Sequence, residues 1–203
     1  MLSLIVLVIG AYLIGSIPFG VIVGRMRGFD PRAIGSGNIG MTNVARAGGA
    51  SAAIITFVGD VLKGALPVIF ARAAGFPPAA VAWAAIGAFV GSICSVFIGF
   101  RGGKGVSAAL GIWLSISPIA VLIAAVVFAI VFAIFRIMSI ASLAAAIAIP
   151  PAVAALHPAN PYLLLAIVIT ALVILRHHAN IARLIRGEEP TVRAKGKSDA
   201  AAS

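Results

Sequence analysis

The sequence predicts an all-α integral membrane protein of about seven transmembrane helices, with the N-terminus outside and the C-terminus cytoplasmic. Three observations carry that reading. Hydrophobic residues make up 62% of the 203 and charged residues 10%, with a mean hydropathy of +1.18, whereas soluble domains hold roughly 45–50% apolar residues. The apolar residues fall in stretches at 2–24, 51–71, 78–99, 106–117, 119–135, 139–156 and 162–175, against the roughly 20 residues that a span needs. Basic residues separate them, at Arg25, Arg27, Arg32 and Arg46, at Arg101 and Lys104, at Arg136, and across 176–197.

Each stretch takes its place from that segregation. Cytoplasmic loops concentrate Lys and Arg, so if all four clusters are cytoplasmic, each interval between them holds an even number of crossings. Two stretches per interval give the helix count and put the termini on opposite sides. No basic n-region precedes the first stretch and no small-x-small cleavage site clearly ends it, so it reads as a retained helix. The 106–117 stretch is about 18 Å long if helical. It is a half-length or tilted helix, or its interval is a re-entrant hairpin. Prolines mark short external loops near 75–77 and 157–161. Gly20 with Gly24, Gly87 with Gly91, and many alanines suit close helix packing in lipid. We see no internal repeat of the kind that builds inverted-repeat transporters. Residues 1–186 therefore read as one polytopic domain, and 187–203, polar and charged, as a cytoplasmic tail.

The excess of 15 Lys and Arg over 5 Asp and Glu does not indicate nucleic acid, because it lies in short loops between spans. The single cysteine, Cys94, allows no intrachain disulfide and no cysteine-based metal site. We expect no metal and no cofactor.

Three segments interrupt the apolar chain: GSGNIGMTNVAR at 35–46, RGGKG at 101–105 and RHHANIARL at 176–184. In the first, Gly35, Gly37 and Gly40 can adopt positive φ and let backbone approach an anion, while Ser36, Asn38, Thr42 and Asn43 supply polar side chains. Arg46 follows about one helical turn later, placed to complete a phosphate cradle at a helix N-terminus. A capped flexible loop is the bland alternative. In the second, Gly103 and its neighbours free Lys104 to meet a phosphate, although a solvated basic turn explains that segment equally well alone. The pattern is not a Walker loop, since it lacks the upstream glycine and the Ser or Thr after the lysine. In the third, His177 and Asn180 share a helix face near Arg176 and Arg183, either to hold a polyol phosphate or as a snorkelling helix end. Asp60 and Lys63, three residues apart inside an apolar stretch, are spaced to pair. Ser139 and Ser142, one turn apart after Arg136, either face the same pocket or bond their own helix.

These residues also carry a resemblance. YLIGSIPFG at 12–20, GSGNIGMTNVAR, DVLKG at 60–64, FRGGKGV at 100–106 and RHHANIARLIRGEEP at 176–190 closely resemble the bacterial acyl-phosphate:glycerol-3-phosphate acyltransferases, the PlsY family, in order along nearly the whole chain. The resemblance implies seven helices with an outside N-terminus. It also implies transfer of a fatty acyl group from acyl phosphate to the 1-hydroxyl of glycerol 3-phosphate, giving lysophosphatidate and inorganic phosphate for phospholipid biosynthesis at the bacterial inner membrane. On it, Ser36, Gly37, Asn38, Thr42, Asn43 and Arg46 match a motif that holds the acyl-phosphate phosphate. Lys104 matches the lysine of the second motif, and His177 and Asn180 match the polar pair that places glycerol 3-phosphate. Glu189 matches a glutamate that braces the fold, against nearby arginines. Ser36, Arg46, Lys104, His177 and Asn180 are then the catalytic candidates, Asp60, Lys63 and Glu189 the structural ones, and membrane lipid the surroundings. Protein partners are unknown. The chain departs from the family where GHxF is common: it has Gly91, Ser92, Ile93 and Cys94, and Ile34 is less polar than expected. The competing class is a transporter or exchanger of organic phosphates, which needs a site reachable from both faces. A membrane scaffold would leave the three motifs without purpose.

Overall fold

The structure, a computed structural model, describes residues 1–157 and 161–192. Among the described residues there are nine α-helices and no strand: α1 (Leu2–Gly15), α2 (Phe19–Met26), α3 (Met41–Ala73), α4 (Pro78–Ile93), α5 (Val106–Ile116), α6 (Pro118–Phe135), α7 (Met138–Leu156), α8 (Tyr162–Arg176) and α9 (His178–Ile185). Five elements are long and apolar enough to cross a bilayer, with α1 and α2 counted as one, and α8 with α9, bent by 58°, makes a sixth. At 11 residues α5 is shorter than a span.

The helix boundaries refine two stretches. The 2–24 stretch is one candidate span, Leu2–Met26, interrupted where Pro18, which lacks an N–H, separates α1 from α2. The 51–71 stretch begins earlier, at Met41, and its first turns are set off by a kink at Gly49, with φ 75° and ψ −174°. Pro78 and Pro118 open α4 and α6, where a missing N–H costs nothing. The loop expected at 157–161 includes 158–160, outside the described residues.

Close packing comes from glycine, as lipid offers helices no hydrophobic reason to associate. Gly15 meets the backbone of Ala88, and Gly91 that of Tyr12 and Ser16, joining α1 to α4. Gly64 meets the backbone of Ala108, and Gly111 that of Val61 and Ala65, joining α3 to α5. Gly20 and Gly24 instead face Ile39 and Phe29, so this pair seats the loop ahead of α3 rather than another helix.

The short α5 is placed by its far end. Arg72 at the end of α3 donates to the Ser115 carbonyl, and Ser117 Oγ lies 3.1 Å from His157 Nε2 at the end of α7. The His157 ring stands edge-on to Tyr162 at the start of α8, with centroids 6.2 Å apart. With one end so tied, an α5 of about 16 Å stops roughly 10 Å short of the α6 terminus, which is about 27 Å away. The N-terminus of α5 is therefore sunk inside the bundle, and residues 99–105 descend to reach it.

Overpacking at the α3–α5 contact costs about 1–3 kcal/mol. Gly111→Leu is expected to lower the Tm in detergent by several degrees, while Gly10→Leu, whose added carbon has no neighbour within 4 Å, leaves it unchanged. Differential scanning fluorimetry checks both.

Candidate active site

The three polar segments meet around one cavity of about 1020 Å³. Its upper wall is Ser36, Asn38, Thr42, Arg46, Gly103, Lys104, Ser139, Ser142, His177, Asn180 and Glu189, and its lower wall is apolar, from α5, α6, α7 and α8. Gly35, Asn43, Asp60 and Lys63 also line it; Gly37 does not.

The 35–46 loop is organised by Asn43, which is 3% exposed. Its side-chain amide shares two hydrogens among the carbonyls of Pro31 at 2.7 Å, Ile34 at 2.9 Å and Asn38 at 2.8 Å. Its Oδ1 accepts from the Ser36 N–H at 3.0 Å. Asn43 thus shapes the loop with every polar atom it has, although it was expected to touch substrate. Gly35 and Gly37 take positive φ, 57° and 69°. Gly40, expected to do likewise, is extended at φ −80° and caps α3. The N–H groups of Met41 and Thr42 at the start of α3 have no intrahelical partner and suit an anion.

The second segment is held by Arg176. Its Nε donates to the Gly103 carbonyl at 3.2 Å and its Nη2 to the Gly102 carbonyl at 2.9 Å, while the Gly103 N–H donates to the Ser92 carbonyl at 3.1 Å. Lys104 is left pointing into the cavity. The like charges of Arg183, Arg46 and Arg176 act on it, and so does the opposite charge of Glu189.

The third segment meets Glu189. Asn180 Nδ2 and Ser139 Oγ donate to its Oε1 at 2.6 and 2.8 Å, and Arg183 Nε donates to Oε2 at 2.7 Å. Burial alone would raise the pKa of this carboxyl, but those hydrogen bonds and the Arg183 charge hold it below its usual value. Glu189, Pro190, Thr191 and Val192 line the cavity, and the Val192 N–H donates to the Arg136 carbonyl at 2.8 Å. The described part of the expected tail is therefore part of the site, because Glu189 is anchored there; 193–203 lie outside the described residues. His177 is 2% exposed, and its Nδ1 lies 2.7 Å from the Val173 carbonyl. That carbonyl can only accept, so Nδ1 carries the proton and, in the neutral ring, Nε2 is an acceptor.

Asp60 and Lys63 pair at 2.6 Å, and Lys63 Nζ also donates to the Ile17 carbonyl at 3.1 Å, bracing the α1–α2 break. Arg46, Lys104, Arg176 and Arg183 all act on the cavity, against the carboxylate of Glu189, while Asp60 on the same wall is paired with Lys63. Arg176 and Arg183 are committed to protein groups. Arg46 and Lys104 make no hydrogen bond or ion pair to the described residues. The sequence reading did not place Arg183, Ser92, Phe57, Trp113 or Phe128 on the wall, where they all stand.

A bundle of membrane-length helices with two uncommitted cations above an apolar cavity defines a membrane protein whose site is cationic on one wall and apolar on the other. The chain belongs to the glycerol-3-phosphate acyltransferase family, whose model matches residues 5–187. It is 47% identical to the glycerol-3-phosphate acyltransferase of Trichlorobacter lovleyi over 186 residues, 91% of this chain and 95% of that one. The glycerol-3-phosphate acyltransferase of Thioalkalivibrio sulfidiphilus is also 47% identical, over 95% of each chain. Two crystal structures of PlsY (YgiH), an integral membrane glycerol 3-phosphate acyltransferase, share the fold. The glycerol 3-phosphate form superposes with a TM-score of 0.90 at 38% identity over 94% of this chain and 96% of that one. The lysophosphatidic acid form does so with 0.88 at 37%, over the same shares.

Proposed function

We propose that this protein transfers a fatty acyl group from acyl phosphate to the 1-hydroxyl of glycerol 3-phosphate, releasing lysophosphatidate and inorganic phosphate. The observation that carries the reading is the pair of uncommitted cations, Arg46 and Lys104, on the upper wall of a cavity whose lower wall is apolar. A phosphate fits above, an acyl chain below, and the scissile carbonyl falls between them. Acyl phosphate is a mixed anhydride with phosphate as leaving group, so the transfer needs alignment and charge stabilisation rather than a covalent enzyme intermediate. The hydroxyl oxygen attacks the carbonyl carbon, the carbonyl–phosphate C–O bond breaks, and the hydroxyl proton leaves on the phosphate. His177 Nε2 orients glycerol 3-phosphate by accepting a hydrogen bond from its other hydroxyl, which leaves the proton of the attacking one free to pass to the phosphate. Arg46, Lys104 and the free N–H groups of α3 take up the charge that develops on the departing phosphate. Asn43, Arg176 and Glu189 keep these groups in place.

In this reading residues 1–186 act as one domain with seven crossings, α5 and the descending 99–105 segment together forming the fourth. The N-terminus is outside, and the site opens to the cytoplasm of a bacterial inner membrane. A phosphate transporter is disfavoured by the cavity's closed lower end, where Ile116, Val153 and Leu165 belong to the core.

Phosphate release from purified protein is expected to require both palmitoyl phosphate and glycerol 3-phosphate. Turnover with acyl-CoA and none with acyl phosphate would refute the donor. Cysteines introduced at Ser36 and Ala179 in a Cys94→Ala background are expected to react only from the cytoplasmic side; labelling of either from outside would break the proposed topology.

A further inference from the structure

Two irregular stretches of backbone meet on the surface of the bundle. One is the break between α1 and α2 at 16–18, and the other is the turn at 94–98 that follows α4. Tyr12 Oη donates to the Cys94 carbonyl at 2.9 Å, and Ser95 Oγ donates to the Ser16 carbonyl. These bonds stitch the two stretches together and leave a groove of about 350 Å³ beside them, within the range of roughly 300–1,000 Å³ that ligand sites occupy. The groove shares no lining residue with the central cavity.

Its walls are apolar except at one end. Ile17 and Pro18 of the break, Ile22 of α2, and Phe97 and Ile98 of the turn line it, together with Arg25. Arg25 stands roughly 10 Å past Pro18 along α2, where that helix gives way to a polar loop. It is exposed and makes no hydrogen bond or ion pair to the described residues. Asp30, whose carboxylate feels its charge, already accepts three hydrogen bonds from the Arg32 guanidinium, at 2.7, 2.9 and 3.1 Å. Around the groove Ile14, Met26, Val96 and Phe100 are exposed and apolar, as a surface that meets membrane requires.

A guanidinium without a protein partner, at the polar end of an apolar groove, matches the shape of a phospholipid. One cation suits a phosphodiester, which carries one negative charge, and can bind two of its oxygens at once. A phosphomonoester dianion finds two uncommitted cations in the central cavity instead. Arg27, exposed just beyond, repels a headgroup that carries an ammonium, so a net anionic lipid is favoured over a zwitterionic one. Basic pockets between membrane helices bind anionic headgroups on the same physics.

We propose that this groove holds one anionic phospholipid of the surrounding bilayer, its phosphodiester on Arg25 and an acyl chain laid along Ile22 and Phe97 toward Pro18. The site lies outside the catalytic cavity and does not depend on the acyltransferase reading. The Ile17 carbonyl accepts from Lys63, which lines the central cavity. The lipid therefore packs against the same α1–α2 break that Lys63 braces from within.

Native mass spectrometry of the protein in neutral detergent, titrated with dioleoylphosphatidylglycerol or dioleoylphosphatidylcholine, tests the site. Wild type is expected to retain one phosphatidylglycerol in preference to phosphatidylcholine. Arg25→Gln is expected to weaken that binding about tenfold, as loss of a charge-assisted bond requires, with Arg25→Lys between it and wild type and Arg27→Gln close to wild type. The double variant Arg46→Ala, Lys104→Ala is expected to bind the lipid normally. Undiminished binding in Arg25→Gln, equal weakening in Arg25→Gln and Arg27→Gln, or no preference between the two lipids overturns the site. Loss of the lipid in the double variant overturns it too, because the headgroup then sits in the central cavity.

Discussion

Two cations held where no protein group neutralises them are the constraint on which the rest of the site depends. Arg46 and Lys104 face a cavity in which the guanidinium charges of Arg46, Arg176 and Arg183 all act on Lys104. Such an arrangement is unfavourable without a ligand and favourable with a dianion, which is how binding strength for phosphate is built into the empty protein. It persists because the surrounding polar groups are satisfied within the protein. Asn43 occupies three carbonyls and an N–H, Arg176 fixes two carbonyls, and Glu189 gathers Ser139, Asn180 and Arg183. Removing one such partner leaves its buried counterparts unpaired, at about 1–3 kcal/mol each.

The bundle supplies the place for this site by making α5 short. Glycines draw the backbones of α3 and α5 together, and the Arg72, Ser117 and His157 contacts anchor α5 at its far end. The polar segment ahead of α5 therefore reaches down into the bundle rather than lying across its surface. In the proposed reading, Lys104 meets phosphate at the depth where an acyl carbonyl in the apolar cavity can also be reached. One geometric decision, where α5 ends, joins a water-soluble substrate to a lipid-soluble one.

Much of this is legible in the sequence, because polar residues in so apolar a chain stand out, and those at 35–46, 101–105 and 176–184 read as candidates for one site. Their division of labour is not. Spacing shows that Asn43 can reach an anion or a backbone, and only the fold decides that it turns to Pro31, Ile34 and Asn38. Gly40 was read as a positive-φ position because glycine permits it, but at the start of α3 it is extended. Glu189 sits in a segment whose composition resembles a solvated tail, and its anchors, Ser139 and Asn180, are distant in sequence or hidden on another face. The apolar half of the cavity was illegible for a different reason. When every helix is hydrophobic all round, no contrast distinguishes the face toward lipid from the face toward a ligand, so Phe57, Trp113 and Phe128 carry no signal.

Calorimetric titration of glycerol 3-phosphate into the purified protein tests the central claim most directly, comparing wild type with Arg46→Ala, Lys104→Ala and Arg176→Gln. The account predicts that Arg46→Ala and Lys104→Ala weaken binding at least tenfold, as loss of a charge-assisted bond of about 1.5–3 kcal/mol requires, with the Tm unchanged or raised. Arg176→Gln, which frees two loop carbonyls, is predicted to lower the Tm as well. Wild-type affinity in both Arg46→Ala and Lys104→Ala would contradict the account.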